Sequence, residues 1–170
     1  MIAHPKTETG IRSMNAADLP AVTSLFNEAI EAQECTNDVR TRTVEEMKAW
    51  LTGDLPDYET YVYESASGIV GWAAITRYHE REAYRPTVEL VVFVTPPARN
   101  SGIGGQLMRK VLERAKQLGF HTAVTIAFPE PLYVLESAKK LGFVELGRLH
   151  KVYPTAEGDW RDIVLHQLRL

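Results

Sequence analysis

The chain has 170 residues, 45% hydrophobic and 24% charged, with a formal net charge of −3 and a single cysteine, Cys35. This length and apolar share fit one globular domain able to bury roughly two thirds of its unfolded surface. The mild negative charge and the lack of a long basic run argue against a nucleic-acid partner, and one cysteine excludes an internal disulfide and a cysteine-cluster zinc site.

Residues 1–10 read as a flexible N-terminal tail and residues 11–170 as a single domain. The start, Met1 to Glu8, lacks the apolar stretch of a signal peptide, and no segment approaches the roughly 20 apolar residues of a membrane helix. No membrane partner and a cytoplasmic location are therefore expected. Ile11-Arg12-Ser13-Met14 predicts a short edge strand. Asn15, with Asp18 three positions on, predicts the capped start of a helix carrying Leu19, Val22, Leu25, Phe26, Ala29 and Ile30. Thr43-Val44-Glu45-Glu46 is a capping box for a second helix with Met47, Trp50 and Leu51. Thr60–Glu64 and Ile69–Tyr78, joined through Ser65-Ala66-Ser67-Gly68, predict a hairpin.

The run Thr87–Val94 is β-branched and almost uniformly apolar, which predicts a strand buried on both faces and stopped at Thr95-Pro96-Pro97. Then comes Arg99-Asn100-Ser101-Gly102-Ile103-Gly104-Gly105, an R-x-x-G-x-G turn. Its glycines let backbone approach a ligand closely where amides converge at a helix start, a geometry suited to a pyrophosphate. Ile103, Leu107, Val111, Leu112, Ala115 and Leu118 follow at helical spacing until Gly119. His121–Ala127 predicts another strand, Leu132–Leu141 a helix, and Val144–Val152 with Ile163–Leu170 a closing pair. The order implies a mixed α/β (α+β) domain on a central, largely antiparallel sheet flanked by helices.

The turn is neither a P-loop, since no Gly-Lys-Ser/Thr follows, nor a dinucleotide fingerprint, since Leu107 and Met108 stand where a further glycine is needed. After a Val-rich strand it resembles the acetyl-CoA site of the GCN5-related N-acetyltransferases. The stretch Arg81-Glu82-Ala83-Tyr84-Arg85-Pro86-Thr87-Val88-Glu89 resembles the R-x-A-Y-x-x-T-V-E signature of their phosphinothricin-type branch. Gly119-Phe120-His121, Leu141-Gly142-Phe143 and Asp159-Trp160-Arg161-Asp162 stand at that branch's usual intervals.

The resemblance implies acetyl-CoA as cosubstrate, no metal, and a small amino-acid-like amine as acceptor. Asn100, Ser101, Gly102, Ile103, Gly104 and Gly105 would hold the pyrophosphate, with Arg99 ordering the turn or adding charge. The backbone of Val92, Phe93 and Val94 would pair with the pantetheine arm. Arg81 and Tyr84 are expected at the acceptor's carboxylate or phosphinate, and homodimerisation through the C-terminal strands follows from the same likeness.

Glu89 is the candidate base that frees the amine of its proton, because a carboxylate within an apolar strand is costly without a role or a partner. The alternative is a structural carboxylate paired with Arg81 or Arg77. The sequence departs from the family in the helix before Leu141-Gly142-Phe143. Where relatives carry Asn, Ser and His or Tyr, this chain has Pro131, Val134 and Ala138. Tyr133 is the nearest substitute, yet on an ideal helix it points away from position 138. These losses keep a second reading open, an acyl-CoA-binding sensor or interaction module with little catalysis. His121 and His150 carry no metal-ligand spacing, and Trp160 is expected to pack at a subunit or strand edge.

Overall fold

A computed structural model describes residues 9–34, 36, 38–52 and 58–170. Most of the expected tail, residues 1–8, and Cys35 lie outside the described residues, and Gly10 already opens the first strand, β1 (Gly10–Ser13). Asn15 then caps a short turn of helix. Its side chain accepts from the Ala17 N–H at 2.9 Å, while Asp18 accepts from the Asn15 N–H at 2.8 Å, and the chain runs on into α1 (Leu19–Glu31). The Thr43–Glu46 capping box forms as its residue types require, with reciprocal hydrogen bonds of 2.9 and 3.2 Å at the start of α2 (Val44–Thr52).

A hairpin of β2 (Thr60–Ser65) and β3 (Gly68–Arg77) leads to β4 (Thr87–Val94), then to α3 (Ile103–Gln117) and β5 (Thr122–Ala127). The chain closes with α4 (Leu132–Lys140), β6 (Val144–Pro154) and β7 (Trp160–Arg169), the last two reaching further toward each other than periodicity alone indicated. The seven strands form one sheet in the order β1-β2-β3-β4-β5-β7-β6. Every neighbouring pair is antiparallel except β4 with β5.

Strand alternation distributes β4 between two cores. Val88, Leu90 and the partly buried Val92 and Val94 pack on the face covered by α3, with Leu107, Val111 and Ala115. Phe93 and Val91 point to the opposite face, where Val22, Phe26, Met47 and Leu51 of α1 and α2 meet Trp72 and Ala74. Glu89 shares the parity of Val91 and Phe93, so its carboxyl belongs to the α1–α2 side.

Candidate active site

The one parallel junction among the described residues fixes the site. β4 and β5 pair only at Thr87 with Thr122, Val88 with Ala123 and Glu89 with Val124. Beyond Glu89 the two strands separate. β4 stays bonded to β3 on its other edge, Ala73 facing Val92 and Gly71 facing Val94. β5 stays bonded to β7 through Ala127. The β5-facing edge of residues 90–94 is therefore left without a strand partner. Backbone polar groups there need hydrogen bonds from elsewhere, and an extended amide-bearing chain would supply them as an added strand does. A cavity of about 610 Å³ occupies the fork, a size ordinary for a small-molecule site.

Val92, Phe93 and Val94 line this cavity, and so do Arg99, Asn100, Gly102, Gly104 and Gly105 at its mouth. Gly102 sits at φ +84°, a left-handed conformation, immediately before α3, and Asn100 also has a positive φ of 61°. The first main-chain bond of α3 runs from the Gln106 N–H to the Gly102 carbonyl, so the amides of Ile103, Gly104 and Gly105 have no carbonyl one turn back. They form the positive end of a 15-residue helix. Ser101 turns its hydroxyl inward to the Ala98 carbonyl. Of the two roles read for Arg99, the structure supplies the ordering one: its Nε donates to the Val94 carbonyl at 3.1 Å and its Nη1 meets Glu34 at 2.8 Å.

Glu89 lies at the apex of the fork, and its carboxylate makes no hydrogen bond or ion pair among the described residues. The structural alternative fails because Arg77 pairs instead with Glu80 at 2.7 Å, while Arg81 is exposed. Burial pushes the Glu89 carboxyl up to about 7, and the negative charge of Asp38 acts in the same direction. A carboxyl poised there exchanges protons readily near neutral pH, as a general base must.

Arg81 and Tyr84 do not join this cavity. Both are exposed, on the turn before β4, where Tyr84 packs edge-on to Tyr78 and tilted against His79. Within one chain, the wall on the α1–α2 side of Glu89 is built instead by Phe26, Thr36, Asp38, Arg42 and Trp50. Phe26 and Trp50 were expected as helix residues only, and Thr36, Asp38 and Arg42 come from a loop with no periodicity to expose them.

Helix α4 forms the far wall. Pro131 caps its start, as a residue lacking an N–H can, and Pro131, Val134 and Ala138 all border the cavity without a polar group to offer. The Tyr133 side chain lies outside the described residues. Beneath α4 stands a histidine the sequence reading had not singled out: His166 of β7 is fully buried, borders the cavity, and has neither ring nitrogen hydrogen-bonded. Burial holds its pKa below the usual value. Strand alternation carried the signal, because Val164, His166 and Leu168 share the core-facing parity of β7. His121 and His150 pair locally, with Thr122 at 2.8 Å and Asp162 at 3.1 Å, and Trp160 is exposed at the start of β7.

The profile of the Acetyltransferase (GNAT) family matches residues 22–147, which contain the fork, the glycine turn and α4. The chain belongs to this family. The GNAT protein is 28% identical to the L-methionine sulfoximine/L-methionine sulfone acetyltransferase of Pseudomonas aeruginosa over 162 residues, 94% of each chain. Its fold matches a phosphinothricin acetyltransferase of Sinorhizobium meliloti in complex with acetyl-CoA, at TM-score 0.87 and 26% identity over 95% of this chain and 88% of that one. It also matches a ribosomal-protein-alanine N-acetyltransferase of Brucella melitensis, at TM-score 0.87 and 28% identity over 94% and 99%. The resemblance to the phosphinothricin-type branch is thereby borne out, and the GNAT protein is an acetyl-CoA-dependent N-acetyltransferase. Among the described residues no helix is long and apolar enough to cross a membrane.

Proposed function

We propose that this GNAT protein moves the acetyl group of acetyl-CoA to the primary amine of a small amino-acid-like acceptor, of the phosphinothricin or methionine sulfoximine kind. The observation that carries the reading is the unpaired Glu89 carboxylate at the fork apex, its pKa raised to about 7, next to an open strand edge and a helix N-terminus.

The α3 amides and the turn from Asn100 to Gly105 bind the pyrophosphate, and the open edge at Val92 to Val94 aligns the pantetheine arm so that the thioester reaches the apex. Glu89, acting through water, takes a proton from the acceptor ammonium. The amine nitrogen then bonds to the thioester carbonyl carbon, and strand-edge N–H groups stabilise the oxyanion that forms. As the intermediate collapses the C–S bond breaks, sulfur leaves with the bond's electron pair, and the second proton shed by the nitrogen passes to it, so that CoA departs as the thiol. No enzyme residue is acetylated. The enzyme works in the cytoplasm as a homodimer, a state supported by the exposed Val144, Leu146, Leu149 and Val152 on the edge strand β6.

Pro131 and Ala138 on the cavity wall favour a second reading, a module that binds acyl-CoA without turning it over. Thiol release from acetyl-CoA, screened against free amino acids, phosphinothricin, methionine sulfoximine and methionine sulfone, separates the two. Turnover establishes the transferase and names its acceptor. CoA-induced thermal stabilisation without thiol release supports the module.

A further inference from the structure

His166 of β7 is a buried titratable group that the steps above leave unused. It borders the cavity, and neither ring nitrogen has a hydrogen-bond partner among the described residues. Val164 and Leu168, its neighbours in the same row of β7, are apolar, so packing alone asks for an aliphatic side chain here. An imidazole with two unmet polar atoms costs the fold stability, and it calls for a partner that arrives with a ligand.

Its place in the fork says which part of the ligand. His166 stands opposite Thr125 of β5, one residue past the pair of Glu89 with Val124 at which β4 and β5 part. Its row of β7, with Ala123 of β5, faces α3 and α4, whereas the Glu89 carboxyl faces α1 and α2. An arm threaded through the fork therefore meets a carboxyl on one side of the sheet and an imidazole on the other, at nearly the same height. The α4 wall offers no alternative there, since Pro131, Val134 and Ala138 bring no polar side chain. The charged groups that face the ring, Glu145 opposite on β6 and Lys139 on α4, are exposed.

One proton of the reaction has no carrier. The amine sheds two, Glu89 takes the first, and the second must reach sulfur across the reacting carbon. We propose that His166 carries it: the neutral ring accepts the proton from the nitrogen of the tetrahedral intermediate and donates it to sulfur as the C–S bond breaks and its electron pair passes to sulfur. The ring is neutral again, and CoA leaves as the thiol toward α3, the side that holds its pyrophosphate. Burial suits both transfers. It keeps the ring neutral at pH 7, and it makes the imidazolium a stronger acid than an exposed one, well able to protonate a thiolate whose ordinary pKa is about 8.5. The inference rests on the acetyltransferase reading above and supplies its leaving-group side.

The test pairs kinetics with a binding signal that needs no turnover. His166→Met fills the space, and His166→Gln keeps a hydrogen-bonding group that carries no proton. Each should lower kcat about a hundredfold for the acceptor returned by the thiol-release screen, with the acetyl-CoA KM and the melting temperature at pH 8 near those of wild type. Wild-type kcat in either variant, or a Gln variant that recovers most of the rate lost with Met, overturns the proposal. In protein labelled with nitrogen-15 histidine, the ring signals of His166 are those missing from His166→Met. One of its ring nitrogens should shift on adding CoA and stay in place on adding desulfo-CoA, which lacks the sulfur. No shift, or the same shift with both, overturns the contact. A CoA-specific shift in a protein that turns over no acceptor supports the contact and overturns the transferase reading, so the two fail separately.

Discussion

Glu89 faces Val124 as the last pair across the only parallel junction among the described residues, and the cavity opens from that pair. The carboxylate is therefore half-buried by backbone geometry rather than by a counter-charge, which explains its pKa near 7. As a base it acts only when deprotonated, so kcat/KM for the acceptor should rise with pH through about 7. Glu89→Gln should flatten that limb and lower kcat about a hundredfold, with CoA affinity nearly unchanged. A pH–rate profile of both proteins measures this.

The same shift makes a stability prediction of opposite sign. The unfolded chain releases the Glu89 proton near 4.5, while the folded protein retains it to about 7. Its favourable contribution is thus complete below 4.5 and lost as pH rises through 7. Glu89→Gln should accordingly be the more stable protein at pH 8, by roughly 3 kcal/mol at most, and no more stable than wild type at pH 4. Denaturant unfolding at the two pH values checks the crossover. Asp38→Asn removes a charge that raises the Glu89 pKa, so the same rate profile should move to lower pH.

Much of the architecture was legible because its determinants are local. The N-cap at Asn15, the capping box at Thr43 and the glycine at φ +84° are set by residues within a turn of one another, and the sequence carries them openly. Glu89 was legible as a carboxylate in an apolar strand. Whether it was paired was not, because that depends on where Arg77 reaches after the chain turns, and it reaches Glu80. Arg81 and Tyr84 came from a motif whose position in space depends on the path of the turn before β4. Arg42 and Asp38 are brought to the cavity by tertiary contacts from Asn27 and Tyr153, which no spacing rule reveals.

Gly102 should tolerate no side chain without cost. Space is not the obstacle, since an added Cβ would meet only the far end of Gln106 at 3.9 Å. The cost lies in the left-handed backbone, about 1 to 2 kcal/mol for an L-residue. Gly102→Ala should therefore lower the melting temperature modestly and weaken CoA binding about tenfold by misdirecting the α3 amides. Gly105→Ala, where the backbone is helical and an added Cβ meets only the flexible end of Arg109 at 3.5 Å, should hold or slightly raise the melting temperature. Thermal unfolding with and without CoA distinguishes the two effects.

His166 should make the fold acid-sensitive. Its folded-state pKa is held below 6.5, chiefly by burial and further by Lys139, with Glu145 opposing. As pH falls, the unfolded chain takes up the proton first, so the stability present above about 6.5 drains away below it. His166→Met, a buried apolar replacement of similar length, should show a flatter loss of melting temperature between pH 7 and pH 5. Equal slopes in the two proteins would assign the acid limb elsewhere.

The edge strand β6 supplies the last expectation. Its exposed apolar side chains Val144, Leu146, Leu149 and Val152 lie along an outer strand of 11 residues, interleaved with Glu145, Arg148 and Lys151, and an apolar row on an open edge is a surface that a partner strand can cover. A second copy pairing along this edge covers them. Sedimentation equilibrium at micromolar concentration should give a dimer, and Leu146→Glu with Leu149→Glu should shift it to monomer, because each buried charge lacks a partner across the interface. Glu89 and the glycine turn lie across the sheet from β6, with β5 and β7 between. CoA affinity should accordingly persist in the monomer, and a wild type that sediments only as a monomer would remove the dimer from the proposal.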